Sequence, residues 1–118
     1  MNQQQRLEHR RAVLDNINFT SQRHINCIRI NSHNTKRHEQ KKLDVASYCL
    51  QQGWHFICEA EFKDGKRADV VILDIGLIVE IETDLANWEK KKEEYKYPFI
   101  ERVVVIDPNR KFKVEMLW

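Results

Sequence analysis

At 118 residues, 42% hydrophobic and 32% charged, the chain has room for a single domain around one core. It contains no apolar run of the about 20 residues that span a bilayer, and its start, MNQQQRLEHRR, lacks the apolar stretch of a secretory leader, so a cytoplasmic protein is expected. The net charge of +2 hides an asymmetry: residues 1–42 carry nine Lys and Arg against three acids, and residues 43–118 carry eleven against fifteen.

In chain order, residues 4–16 read as a helix with a sparse apolar stripe, Leu7, Val13 and Leu14, among Arg6, Arg10 and Arg11. The pattern breaks at Asn16 to Thr20, and HINCIRI, residues 24–30, reads as a strand or an irregular packed segment. His24, Cys27, His33 and His38 form a series whose spacing matches no standard structural zinc pattern. Scattered histidines in a basic segment are more often surface or phosphate contacts. Cys27, Cys49 and Cys58 include no close pair, so buried, reduced thiols are expected. Residues 35–52 form a helix closed by Gly53, with Glu39, Leu43, Ala46 and Leu50 on the face expected to pack on a sheet. On this reading Glu39 sits at the edge of the buried face; the plain alternative is a helix-start glutamate favoured by the macrodipole.

WHFICEAEF, residues 54–62, reads as a strand with Glu59 and Glu61 turned to solvent, and residues 63–66 as a hairpin turn. Residues 67–84, RADVVILDIGLIVEIETD, then give two apolar, β-branched runs around Asp74-Ile75-Gly76, a second hairpin. This hairpin organises the chain. Glu80 and Glu82 share one face of the second strand, and Asp69 lies on its partner. Carboxylates among apolar strands are costly to bury alone, and a bound divalent cation is the natural compensation. Residues 85–97 follow as an amphipathic helix whose inner face carries Leu85, Trp88, Lys92 and Tyr95. Pro98 stops it, VVVID at 103–107 is a strand, and FKVEMLW at 112–118 a last strand.

The order helix, three antiparallel strands, helix, strand, with G-x-R-A-D-V-V-I-L-D, then E-I-E and a lysine-rich helix ending in Tyr-x-Tyr-Pro, resembles the PD-(D/E)XK nuclease superfamily. The likeness is to its small Holliday-junction-resolvase-like and RecB-like members. It covers residues 35–107, and its specificity comes from the motif falling on the right elements. The resemblance implies an α/β (α+β) fold with a restriction-endonuclease-like αβββαβ core and a mixed central sheet. Residues 1–34 would be a basic N-terminal extension and residues 108–118 a C-terminal strand.

It also implies a metal-dependent DNA nuclease, a phosphodiester hydrolase. Asp69 and Glu80 would ligate Mg2+ or Mn2+, with Glu39 as the first-helix glutamate that many members add. Lys91 and Tyr95 make a K-x-x-x-Y similar to the RecB-like Q-x-x-x-Y. The sequence departs from the family in two places: Ala68 stands where the motif has Pro, and Glu82 stands where it has Lys. Glu82 would then be a general base or a further ligand, with Lys90, Lys91 or Lys92 supplying the positive charge. Otherwise it marks a catalytically inactive module that binds DNA or a protein.

Arg10, Arg11, Lys36, Arg37, Arg67, Lys92 and Tyr95 are the expected nucleic-acid contacts, holding the backbone without reading sequence. A homodimer is expected because cutting two strands with one small site takes two copies, with the first helix and the last strand as interfaces. A third reading is a small α/β protein whose acids are structural and whose basic arm binds RNA or a partner protein.

Overall fold

The computed structural model describes residues 2–118, residue 85 by its backbone alone. Helices α1 (Gln3–Leu14) and α2 (Phe19–Gln22) precede the long α3 (Lys36–Gln52). Strands β1 (Phe56–Glu61), β2 (Arg67–Ile72) and β3 (Leu77–Ile81) follow, then a 3-10 turn Leu85–Asn87 that runs into α4 (Trp88–Glu94), then β4 (Arg102–Ile106). The strands form one mixed sheet in the order β1-β2-β3-β4, antiparallel up to β3, with β4 parallel to β3. A parallel pair needs a crossover, and the segment bearing α4 supplies it. The protein is an α+β domain, and among the described residues no helix is long and apolar enough to cross a membrane.

Both faces of the sheet are covered. Val45, Ala46 and Cys49 of α3 pack on Phe56, Val70, Val79 and Ile106, while Val13 and Ile17 pack on Ile57, Val71 and Ile78 from the α1 side. The caps of α3 match the sequence. Thr35 Oγ1 accepts from the His38 N–H, and Gly53 takes the left-handed φ of +71° that ends the helix. Gly76 is confined more tightly: at φ +59°, a Cβ there would sit 2.3 Å from the Phe99 carbonyl oxygen.

The inward face of α3 is offset by one residue from the expected one. Leu43 and Leu50 are 42% and 58% exposed, whereas Lys42 is fully buried, in line with His38, Val45 and Cys49. Lys42 tolerates burial because its ammonium is paired: Nζ bonds Glu39 Oε2 at 2.9 Å and the Arg29 carbonyl at 3.0 Å, and lies 3.7 Å from Glu59 Oε1. Glu59, expected in solvent, is therefore buried. The chain kinks there to φ +50°, between the paired residues Cys58↔Val70 and Ala60↔Ala68, and this turns Glu59 out of the alternation that predicted its exposure.

Three further expectations are corrected. The last segment is not a strand: Val114–Leu117 is a 3-10 turn, whose Leu117 fills the core while its carbonyl accepts from the Arg102 guanidinium instead of a neighbouring strand. Cys27 is exposed, because HINCIRI is not a strand, whereas Cys49 and Cys58 are buried, and burial pushes their thiols up to about 12 and about 11. On α4 the lysine turned inward is Lys91, not Lys92, which is exposed and lies 3.8 Å from Glu89. The expected inward place of the Leu85 side chain lies outside the described residues.

Candidate functional site

The pairing of β2 with β3 ends at Val70↔Val79, and Asp69 and Glu80 are the next residues on each strand. Beyond that point side chains replace the backbone ladder. Asp69 Oδ2 accepts from the Ile81 N–H at 2.8 Å, and Glu80 Oε2 accepts from the Asp69 N–H at 3.2 Å. The hairpin thus delivers two carboxylates side by side at the spot where its strands part, while β3 stays paired with β4 through Ile81↔Ile106.

Glu80 is 2% exposed. Its Oε1 contacts the Tyr95 hydroxyl, which also lies 2.7 Å from the Arg67 carbonyl oxygen. A tyrosine hydroxyl has one proton to give. Both contacts are satisfied when Glu80 is protonated and donates to Tyr95 while Tyr95 donates to Arg67. Electrostatics agree: burial, followed by the neighbouring Asp69 charge, pushes the Glu80 carboxyl up to about 9. Asp69 moves the other way. Burial works against its ionisation, but the hydrogen bond and charge of His38 and the Ile81 N–H help hold it below the usual carboxylate range. The two carboxyls therefore titrate as one interacting pair, in which the protonated form is favoured at Glu80.

Asp69 opens into a cleft of about 320 Å³ lined also by His33, Thr35, His38, Glu82 and Lys91. Glu82 and Lys91 face each other across it, with Nζ 3.9 Å from Oε2. Lys91 thus brings a positive charge from α4 to the cleft beside Glu82.

Glu39 does not join Asp69 directly. Its carboxylate is held by Asn34 Nδ2 at 2.7 Å, by Lys42 and by the Asn31 N–H. The His38 ring stands between the two acids, Nε2 3.4 Å from Asp69 Oδ2 and Nδ1 3.3 Å from Glu39 Oε1. Nδ1 is buried and lacks a hydrogen-bond partner of good geometry. Burial lowers the His38 pKa, but Asp69 and Glu39 outweigh it and the net shift is upward.

Among the described residues no three His, Cys, Asp or Glu side chains converge as a metal-holding group. In the sequence His38 enters only through the series with His24, Cys27 and His33, with no tie to Asp69 or Glu39. The signal for it was its place one, two and three helical turns ahead of Lys42, Val45 and Cys49, hidden because Lys42 looks like a surface residue.

The expected nucleic-acid contacts divide. Arg11, Lys36, Arg37, Arg67 and Lys92 are exposed, and Arg37 reaches Asn109 Oδ1 at 2.8 Å beside the cleft residue Pro108. Two are corrected. Arg10 is bound by Nε to Asp74 at 2.8 Å and by a second nitrogen to the Gly53 carbonyl, so it is a structural strut. Tyr95 is 5% exposed and spends its hydroxyl on Glu80 and Arg67.

No protein-family model, curated protein or solved structure matches this chain. The residues of the site and their chemistry therefore carry the functional reading alone.

Proposed function

We propose that the cleft at Asp69 is the active site of a metal-dependent DNA nuclease with the restriction-endonuclease-like αβββαβ core. The observation that carries this reading is the pair of facing carboxylates, Asp69 and Glu80, at the point where β2 and β3 part, with Lys91 across the cleft. The element order and the mixed sheet, with β4 parallel to β3, support it.

The donor set fits Mg2+ or Mn2+. Asp69 and Glu80 offer hard carboxylate oxygens, and they are short of positive charge, since one of the two must stay protonated. Such a cation, when held, makes a bound water nucleophilic and neutralises charge on the attacked phosphate. The chain's own groups do the rest. Asp69 is fixed by the Ile81 N–H and by His38, so its free oxygen edge is aimed before anything binds. Glu80 would hold the cation as a carboxylate, its proton lost to solvent, with the Tyr95 hydroxyl donating to it. Lys91 carries a positive charge to the phosphate side of the cleft. Glu82, 3.9 Å from Lys91, is placed to accept a proton from a water at the mouth.

The test is cleavage of circular, linear and single-stranded DNA with Mg2+, Mn2+ or EDTA, by the wild type and by Asp69→Ala and Glu80→Ala. Metal-dependent cutting lost in both variants is the expected result. A wild type that binds DNA in EDTA yet cuts no substrate in either metal overturns it. One observation favours a second reading in that event: Glu80 is completely hydrogen-bonded without a metal, as a silent DNA-binding module would have it.

A further inference from the structure

A second cleft, of about 270 Å³, adjoins the first. It lies between the segment 29–33 and the start of β2, and His33 lines both. Its cations are Arg29 and Arg67. Its one acid, Glu59, is 6% exposed with its carboxylate turned to the Lys42 ammonium at 3.7 Å, so the cleft presents net positive charge. The wall is anchored: Lys42 holds the Arg29 carbonyl at 3.0 Å, the Asn31 N–H bonds Glu39, and the Arg29 guanidinium reaches the Glu59 carbonyl at 3.3 Å. Among the described residues the Arg67 guanidinium is engaged only by Glu61, at 3.6 Å with its side chain 53% exposed, a pair that a stronger anion displaces.

Arg67 stands two residues before Asp69 on β2, about 6.6 Å along the strand. Neither cleft is lined by Phe, Tyr or Trp, so no aromatic ring is offered to a base, although stacking on such rings is how base-binding grooves hold single strands.

We propose that this second cleft is a backbone subsite: Arg29 and Arg67 bind the phosphate next to the one held at Asp69, and the strand leaves the site over His33 without its bases being read. The placement relative to Asp69 rests on the nuclease reading. The charge, the anchoring and the absence of aromatic rings do not.

The experiment is fluorescence anisotropy of a labelled 12-nucleotide single-stranded DNA in EDTA across a salt series, with cleavage in Mg2+ and Mn2+ measured on the same proteins. The Arg29→Gln/Arg67→Gln double variant is expected to weaken binding about tenfold, and to lower the slope of log K against log salt by about 1.4, the value for two phosphate contacts on a single strand. Arg67→Gln alone, at an exposed position that leaves the fold intact, gives half that change in slope. Lys111→Gln/Lys113→Gln removes equal charge elsewhere and leaves the slope as in the wild type. Oligo-dT and oligo-dA bind alike.

An unchanged slope in the arginine variants, an equal loss in the lysine control, strong base preference, or a wild type that does not bind would each overturn the subsite. Failure of the nuclease reading looks different. Arginine-dependent binding without cleavage in any metal removes the activity and keeps the subsite, whereas cleavage with arginine-independent binding does the reverse.

Discussion

Asp74 and Glu80 are both 2% exposed acids on the same hairpin, and their surroundings push them in opposite directions. At the turn end, burial alone would raise the Asp74 carboxyl, but Arg10, the His55 N–H and Arg6 bond it directly and hold it below its ordinary range. At the other end Glu80 has Asp69 beside it and no bonded cation, and it is pushed up to about 9. Burial raises both carboxyls, more strongly at Glu80, and bonded cations reverse its effect only at Asp74. An acid with two guanidiniums is a tie between α1 and the hairpin. An acid short of positive charge beside a cleft is where a cation is wanted.

The largest test of that contrast is catalytic. Asp69→Asn and Glu80→Gln should each lower cleavage about a thousandfold, while Asp74→Asn, assayed at a temperature where it stays folded, should cut at near the wild-type rate. If Asp74→Asn loses cleavage as fully as Glu80→Gln, the two ends are not separate in function.

Stability should then show the reverse order. Asp74→Asn leaves Arg6 and Arg10 without their anion and should cost about 3 kcal/mol in urea unfolding. The Asp74 contribution also has a pH signature. Its folded pKa is depressed, so its stabilisation is complete above the unfolded value near 4 and is lost as pH falls below it. Asp74→Asn should flatten the acid limb of the wild-type stability curve.

Glu80 should act on the alkaline side. Its folded pKa is raised, so the stabilisation by its bound proton is full below the unfolded value near 4.5 and is lost as pH rises toward about 9. Metal-free wild type should therefore weaken from pH 5 to pH 9. Glu80→Gln, which keeps an uncharged group in place, should be more stable than wild type at pH 9, by up to about 5 kcal/mol on the full shift, and nearly equal to it at pH 5. A Glu80→Gln variant that melts below wild type at pH 9 would mean that the buried carboxylate has a cationic partner.

The smallest effect is expected at Lys92. Its pair with Glu89 is exposed, and Lys92→Gln should shift stability by no more than about 0.5 kcal/mol by thermal melting.

Much of this molecule was legible in its residues. The β-branched runs on either side of Asp74-Ile75-Gly76 specify the hairpin, and Thr35 and Gly53 bracket α3 by cap chemistry. Asp69 and Glu80 stood out because ionisable groups in apolar strands need an explanation. These are local signals, carried by neighbours in sequence.

What sequence could not supply was partner choice across the fold. Leu43 and Leu50 made a plausible inward stripe, and only the arrival of Glu59 and the Arg29 carbonyl beside Lys42 made a lysine the better core residue. Arg10 looked free until Asp74 met it from 64 positions away. His38 became a site residue because α3 lies beside the parting of β2 and β3. Periodicity fixes which residues share a face, but the energy of burying a charge depends on what lies opposite, and tertiary structure alone decides that.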